Sequence, residues 1–286
     1  AAAGSRVKDD FARAEHLSAR PADSWLVALD IDGTVLHEDG TLSRTVINEV
    51  QRVRDRGHEV TLATGRSVSM TLPVLEQLEI SPEYVVSSNG AILLRRDEKE
   101  PRNYRREHVE HFDPTPVLQS IRERLPEAHY AVENETGMYR YTGWFPEGAL
   151  DITTEQVDFD DLLTTVATRV VVIAPGHDSK DFEKAVEDLG LHQVSYAVGW
   201  TNWLDIAPEG VNKSTALERA RAALGFPRSR VMAIGDGRND IEMFRWAGSE
   251  GRAVAMGQAP PEVLEAATEV TRPDIDDGVA WALRSL

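Results

Sequence analysis

Trp25-Leu26-Val27-Ala28-Leu29-Asp30-Ile31 is a short apolar run whose only polar member is an acid near its end. A run with no polar alternation is what a strand needs when both its faces are covered, as in a parallel sheet. The rhythm then continues. Ser43 precedes Val46, Ile47, Val50 and Val53, apolar positions at helical spacing that close at Gly57, and this predicts a helix of about three turns. Residues 59–63 read as a second strand, 67–78 as a second helix and 84–87 as a third strand. Such β-α-β-α-β alternation predicts an α/β fold, a doubly wound, Rossmann-like core with a parallel sheet and right-handed crossovers. Asn89-Gly90, with apolar residues on both sides, predicts a hairpin.

From about residue 109 to 207 the pattern loosens. Short strands at 129–132, 138–141, 169–174 and 194–198 alternate with helical stretches at 116–124 and 181–189, which predicts a separate α+β unit. From Asn212 the tight alternation returns: a helix to Leu224, a strand at 230–234, a helix at 241–246, a strand at 252–255 and closing helices. The expected organisation is a tail over 1–23, a core domain built from 24–108 and 208–286, and an inserted domain over 109–207. A length of 286 residues accommodates two domains. Residues 1–23 open Ala-Ala-Ala-Gly-Ser without Met and lack the order of a secretion signal, so they are read as a tail, open to a reading as processing or an expression scar, and are set aside from the fold.

Thirty-one basic residues face 48 acidic ones, a formal charge of −17, which argues against nucleic acid or an anionic membrane as partner. No apolar run is long enough to span a bilayer. The absence of cysteine removes disulfides, thiol catalysis and cysteine-held metals, and is compatible with a reducing cytoplasm. An anionic substrate would therefore need attraction arranged locally.

Asp30-Ile31-Asp32-Gly33-Thr34 sits where a buried strand ends, the place where open α/β sheets bind ligands. Its simpler reading is a turn, since Asp-Gly between apolar residues signals one. Asp236-Gly237-Arg238-Asn239-Asp240 follows the apolar strand Val231-Met232-Ala233-Ile234, and Asn239 or Asp240 taken alone reads equally as a helix cap. The Gly235-x-Gly237 pair lacks the third glycine of a dinucleotide fingerprint. Thr64-Gly65-Arg66 ends the second strand, where a hydroxyl and free N–H groups suit phosphate, although a turn threonine is commoner. Lys213 opens a helix, one of five lysines against 26 arginines.

Their conjunction carries more than any one of them. Acids after two strands, a hydroxyl after a third and a lysine at a helix start can converge on one sheet edge. Two unit anions about 4 Å apart repel by roughly 4 kcal/mol at an effective dielectric near 20, so clustered carboxylates need a divalent cation before they meet phosphate. Oxygen ligands and a phosphate partner select Mg²⁺ over zinc.

At these residues the chain resembles the haloacid dehalogenase-like (HAD) hydrolase superfamily and, within it, the Cof-type sugar-phosphate phosphatases. The first motif is similar to Asp30-Ile31-Asp32-Gly33-Thr34, the second to Thr64-Gly65-Arg66, the third to Lys213 and the fourth to Gly235-Asp236-Gly237-Arg238-Asn239-Asp240. The resemblance implies a HAD core plus an inserted α+β cap over 109–207, and an enzyme hydrolysing small phosphorylated metabolites. It implies Asp30 as the phosphoryl-accepting nucleophile and Asp32 as acid and base. Thr64, Gly65, Lys213 and Asn239 would hold phosphate, and Mg²⁺ would bind Asp30, the Asp32 carbonyl, Asp236 and Asp240. Tyr139, Arg140, Tyr141, Trp144, Trp200 and Trp203 are candidates for touching the leaving group, with packing inside the insert the favoured alternative.

Two competing readings stand beside the phosphatase. A phosphomutase or phosphotransferase would use the same nucleophile and pass the phosphoryl group to a sugar hydroxyl. A non-enzymatic phospho-acceptor module would store it on Asp30, but such a receiver has no use for a large insert or for an acid two residues further on.

Overall fold

The computed structural model of the chain describes residues 20–151, 153–191, 194–199 and 202–286. The first half of the core runs β1 (Leu26–Leu29), α1 (Arg44–Asp55), β2 (Glu59–Leu62), α2 (Val68–Leu78), β3 (Tyr84–Ser87), β4 (Ile92–Arg96) and β5 (Tyr104–Val109). A second unit follows, with α3 (Thr115–Arg124), β6 (His129–Asn134), β7 (Tyr139–Tyr141), β8 (Thr154–Gln156), α4 (Phe159–Leu162), β9 (Ala167–Ile173), α5 (Ser179–Leu189), β10 (Val194–Val198) and β11 (Trp203–Pro208). The chain closes with α6 (Lys213–Leu224), β12 (Val231–Gly235), α7 (Ile241–Gly248), β13 (Arg252–Ala255), α8 (Pro261–Ala266), β14 (Glu269–Val270) and α9 (Gly278–Leu283).

The central sheet has the order β14-β13-β12-β1-β2, every neighbouring pair parallel. Its middle strands are apolar on both faces because both faces are covered. Val27 and Leu29 of β1 join Val46, Val50 and Val53 of α1 in one core, while Leu26 and Ala28 join Leu217 of α6 and Phe244 of α7 in the other. Ser43 caps α1 as its sequence predicts, its hydroxyl accepting the Val46 N–H at 3.2 Å.

The third strand departs from expectation. β3 does not extend the parallel sheet; it pairs antiparallel with β4, and β4 with β5, in a separate three-stranded sheet. The predicted hairpin at Asn89-Gly90 is the reason. Ser88 and Asn89 both adopt left-handed φ values (48° and 53°) and Gly90 a φ of 96°, which folds the chain straight back so that β4 takes the ladder of β3. Contact with the central sheet survives as one parallel bridge, Ala63 to Val86, and the Thr64 N–H donates to the Val86 carbonyl at 3.0 Å.

The second unit is a six-stranded sheet, β10-β11-β9-β6-β7-β8, with its own core of Leu118, Ile121, Phe182 and Val186 packed on Val170, Val172, Leu204 and Ile206. β8, α4 and β11 were not evident from sequence. All three residues of β8 are exposed and α4 is four residues long, so neither leaves a periodic signal. Residues 1–19 of the expected tail lie outside the described residues. Arg20 packs on the core instead, pairing with Glu59 at 2.5 Å and lying 4.8 Å from the Phe226 ring centroid. No helix among the described residues is long and apolar enough to cross a membrane.

Candidate active site

β1 and β12 lie side by side and end together. The Asp30 N–H donates to the Ile234 carbonyl at 2.9 Å, which carries the ladder one residue past β1 and sets Asp30 beside the turn after β12. Lys213, the first residue of α6, is wholly buried, and its Nζ donates to Asp30 Oδ1 at 2.8 Å and to Asp240 Oδ1 at 2.7 Å. It is therefore not a solvated surface lysine. Asp240 stands at the N-cap of α7, but its side chain makes no bond to that helix; its Oδ2 accepts the N–H groups of Asp236 and Gly237, each at 3.0 Å, and pins the turn that presents Asp236.

Carboxylate oxygens of Asp30, Asp236 and Asp240 all fall within 4.8 Å of one another. Two glycines permit this crowding. A Cβ on Gly33, whose φ is +73°, would stand 2.2 Å from Asp236 Oδ2, and one on Gly235 would stand 2.4 Å from Asp240 Oδ2. Thr34 completes the group: its Oγ1 lies 3.3 Å from Asp30 Oδ2 and 3.2 Å from Asp236 Oδ1. With one proton it can donate to one of them at a time.

The electrostatics follow from three acids sharing one lysine. Burial works to raise Asp30, but the Lys213 charge and several hydrogen bonds outweigh it and leave its carboxyl below the usual range. Asp236 is pushed up to about 10, by burial first and by the Asp30 charge second. Asp240 rises to about 7 for the same reasons, partly offset by Lys213. The site thus holds more negative charge than its own cation neutralises. An all-oxygen donor set without His or Cys fits a hard divalent cation, which relieves the crowding that otherwise calls for protons.

The other expected residues sit around this cluster. Thr64 is buried, and its Oγ1 accepts the Arg66 N–H at 3.0 Å, leaving its own proton unspent on that contact. Gly65 faces two amides: a Cβ there would be 3.0 Å from Asn89 Oδ1 and 3.4 Å from Asn239 Nδ2. Those amides bond each other, Asn239 Nδ2 donating to Asn89 Oδ1 at 3.0 Å. Asp32 stands apart from the acid cluster. Its side chain is 64% exposed and is gripped by the fork of Arg66, with Nε to Oδ2 at 2.9 Å and Nη2 to Oδ1 at 2.6 Å.

A cavity of about 80 Å³ opens beside these groups, lined by Asn89, Lys213 and Asn239 of the core, by Glu242 of α7, and by Tyr196 and Asp205 of the second unit. Of the six aromatic and arginine candidates, the five that lie among the described residues are not among its walls. Tyr139 is buried against Arg169, Tyr141 and Trp203 pack edge-on to Phe145, and Arg140 faces Glu155 on the surface. Trp144 is largely exposed and Trp200 lies outside the described residues. Asn89 and Asp205 were missed as site residues. Asn89 carried a turn signal that hid its second use, and Asp205 carried no signal at all.

A profile of haloacid dehalogenase-like hydrolases matches residues 27–283, and the chain belongs to that family. It is an enzyme of the phosphatase class within it. Among its relatives is the 5-amino-6-(5-phospho-D-ribitylamino)uracil phosphatase YitU of Bacillus subtilis, 28% identical over 267 residues, covering 91% of this chain and 96% of the relative. The pyridoxal phosphate phosphatase YbhA of Escherichia coli is 29% identical over 281 residues, covering 91% and 97%. Among solved structures, the HAD subclass IIB sugar phosphatase BT4131 superposes with a TM-score of 0.75 at 18% identity, covering 92% of this chain and 98% of that one, a likeness of fold.

Proposed function

We propose that this chain is a magnesium-dependent phosphatase that hydrolyses small phosphorylated metabolites, sugar phosphates among them, through a phosphoaspartate on Asp30. The observation that carries the reading is the setting of Asp30: a buried carboxylate at the end of a central parallel strand, kept ionised by Lys213, with two further acids within reach of one cation.

Asp30 attacks phosphorus, an oxygen–phosphorus bond forms as the ester bond breaks, and the departing oxygen takes a proton from Asp32. Asp32 then removes a proton from water, whose oxygen attacks the phosphoaspartate and releases phosphate with Asp30 restored. The exposure of the Asp32 side chain leaves it within reach of water. Lys213 has three N–H donors and spends two on carboxylates, so one is left for a phosphate oxygen, joined by Thr64, Gly65 and Asn239. Mg²⁺ would be held by Asp30, the Asp32 carbonyl and Asp236, with Asp240 behind them; it supplies charge neutralisation between carboxylates and phosphate.

Residues 109–207 are read as a cap over a core of 24–108 and 208–286. The second unit brings Asp205 and Tyr196 to the cavity and grips the core through several polar contacts, two of them near the site. Arg238 Nη1 bonds Glu183 at 2.9 Å and the Val198 carbonyl at 3.2 Å, and Ser88 Oγ donates to buried Glu133 at 2.7 Å. The lack of cysteine supports a cytoplasmic setting, and a charge of −17 argues against nucleic acid or membranes as partners.

The test is phosphate release from a panel of sugar and nucleotide monophosphates, with and without Mg²⁺, alongside Asp30→Asn. The expected outcome is metal-dependent turnover that falls on the order of 10⁴-fold in the variant. Metal-independent turnover, or a fully active variant, refutes the mechanism. Isomerised sugar phosphate without free phosphate shows a mutase instead.

A further inference from the structure

The cavity beside Lys213 carries two carboxylates, Asp205 and Glu242, in a wall otherwise made of neutral polar and apolar residues such as Asn239, Tyr196 and Val211. Asp205, on β11, is locked in place from behind. Its Oδ1 accepts Arg169 Nε at 2.7 Å and Nη2 at 2.6 Å, and its Oδ2 accepts Trp203 Nε1 at 3.0 Å. Arg169 is itself buried and fixed by the Tyr139 hydroxyl at 3.0 Å. A carboxylate has about four acceptor positions, so Oδ2 keeps one unspent. Glu242 also lines the cavity, exposed and without a partner among the described residues. The amide oxygen of Asn89 already serves Asn239.

The positive side of the ledger is short. Among the described residues Lys213 is the one cationic residue on the cavity wall; two of its N–H groups serve Asp30 and Asp240, and the third serves the phosphoryl group being transferred. Arg169 lies behind Asp205, not on the wall. A hydroxyl or amino group entering here meets one fixed, charged acceptor in Asp205. A second phosphate or a carboxylate meets two carboxylates and, among the described residues of the wall, no cation besides Lys213.

We infer that this enzyme selects phosphomonoesters whose leaving group carries hydroxyl or amino donors and no second negative charge, with Asp205 reading the donor and Glu242 turning away the anion. The inference rests on Asp30 and its neighbours acting as the phosphatase centre. It goes beyond that reading by fixing the polarity and charge of the organic half of the substrate.

Three probes separate the possibilities: a hexitol monophosphate, a hexitol bisphosphate, and phenyl phosphate, which has no donor in its leaving group. In the native enzyme kcat/KM for the bisphosphate is expected about 100-fold below that for the monophosphate. In Asp205→Asn the ratio of hexitol monophosphate to phenyl phosphate is expected to fall about tenfold, through KM, as befits the loss of one hydrogen bond to a charged acceptor. Using a ratio within one preparation cancels any loss of folded enzyme. In Glu242→Lys, an exposed position, the ratio of bisphosphate to monophosphate is expected to rise about tenfold. A native enzyme that takes the bisphosphate as readily as the monophosphate overturns the inference, as do ratios that stay flat in both variants. If Asp205→Asn cannot be produced folded, the Glu242→Lys ratio decides alone. An enzyme inactive on all three esters and on the wider panel sinks the phosphatase reading and this inference with it, whereas flat ratios in an active enzyme sink only the inference.

Discussion

Lys213 is buried between two carboxylates, and its removal has two separable effects. Lys213→Met leaves Asp30 and Asp240 facing each other without compensation, so the metal-free protein is expected to lose about 3–5 kcal/mol of unfolding free energy in urea titrations. Turnover is expected to fall about 100-fold or more if, as proposed, Lys213 gives its third N–H to the phosphate. Gly33 makes a different demand. Its φ of +73° and the 2.2 Å approach of a Cβ to Asp236 Oδ2 mean that Gly33→Ala must displace Asp236. The Mg²⁺ concentration for half-maximal activity is then expected to rise about 10–100-fold. Asp30, Asp236, Asp240 and Lys213 could be read from sequence because each ends a strand or starts a helix, and such ends share one sheet edge. Thr34 and Asn89 could not be given roles that way. The Asn89 amide meets Asn239 across 150 residues of sequence, a pairing that no local spacing encodes.

Between elements, α6 and α7 are tied by a single carboxylate. Glu218 accepts Arg221 Nε at 2.8 Å and Nη2 at 2.7 Å, and Trp246 Nε1 at 2.8 Å. These bonds, that from Arg221 foremost, hold its carboxyl down to about 2 against slight burial. The folded value lies below the ordinary 4.5, so the stabilisation is complete above that pH and drains away as pH falls from there through about 2. Glu218 is 40% exposed, so water discounts the gain: Glu218→Gln is expected to lower Tm by about 1–2 °C at pH 7. Melting curves across pH should show that gap closing toward pH 2. The helices and central strands were predictable because their apolar spacing is set by what covers them. The position of β3 was not, since its four apolar-rich residues would suit either sheet and the left-handed turn at Ser88-Asn89 decides between them. β11 was hidden by Asp205, a buried-strand acid that makes sense only once Arg169 is seen beside it.

Taken whole, the molecule is a strongly acidic body that must admit an anion. The general field repels substrate and only the site attracts it, so screening should help. Raising KCl from 10 to 150 mM at fixed Mg²⁺ is expected to increase kcat/KM for a phosphomonoester about two- to threefold; a decrease would show that positive charge at the mouth dominates. The central sheet has a further consequence. β1 finds its neighbour β12 only after about 200 intervening residues, and those residues include a sheet with a core of its own. At the pace of translation, roughly 5–20 residues per second, the strand bearing Asp30 leaves the ribosome some 10–40 s before its neighbour does. The insert can collapse during that wait, while β1 and β2 expose an unfinished greasy edge to nascent-chain chaperones until the last fifth of the polypeptide arrives to close it.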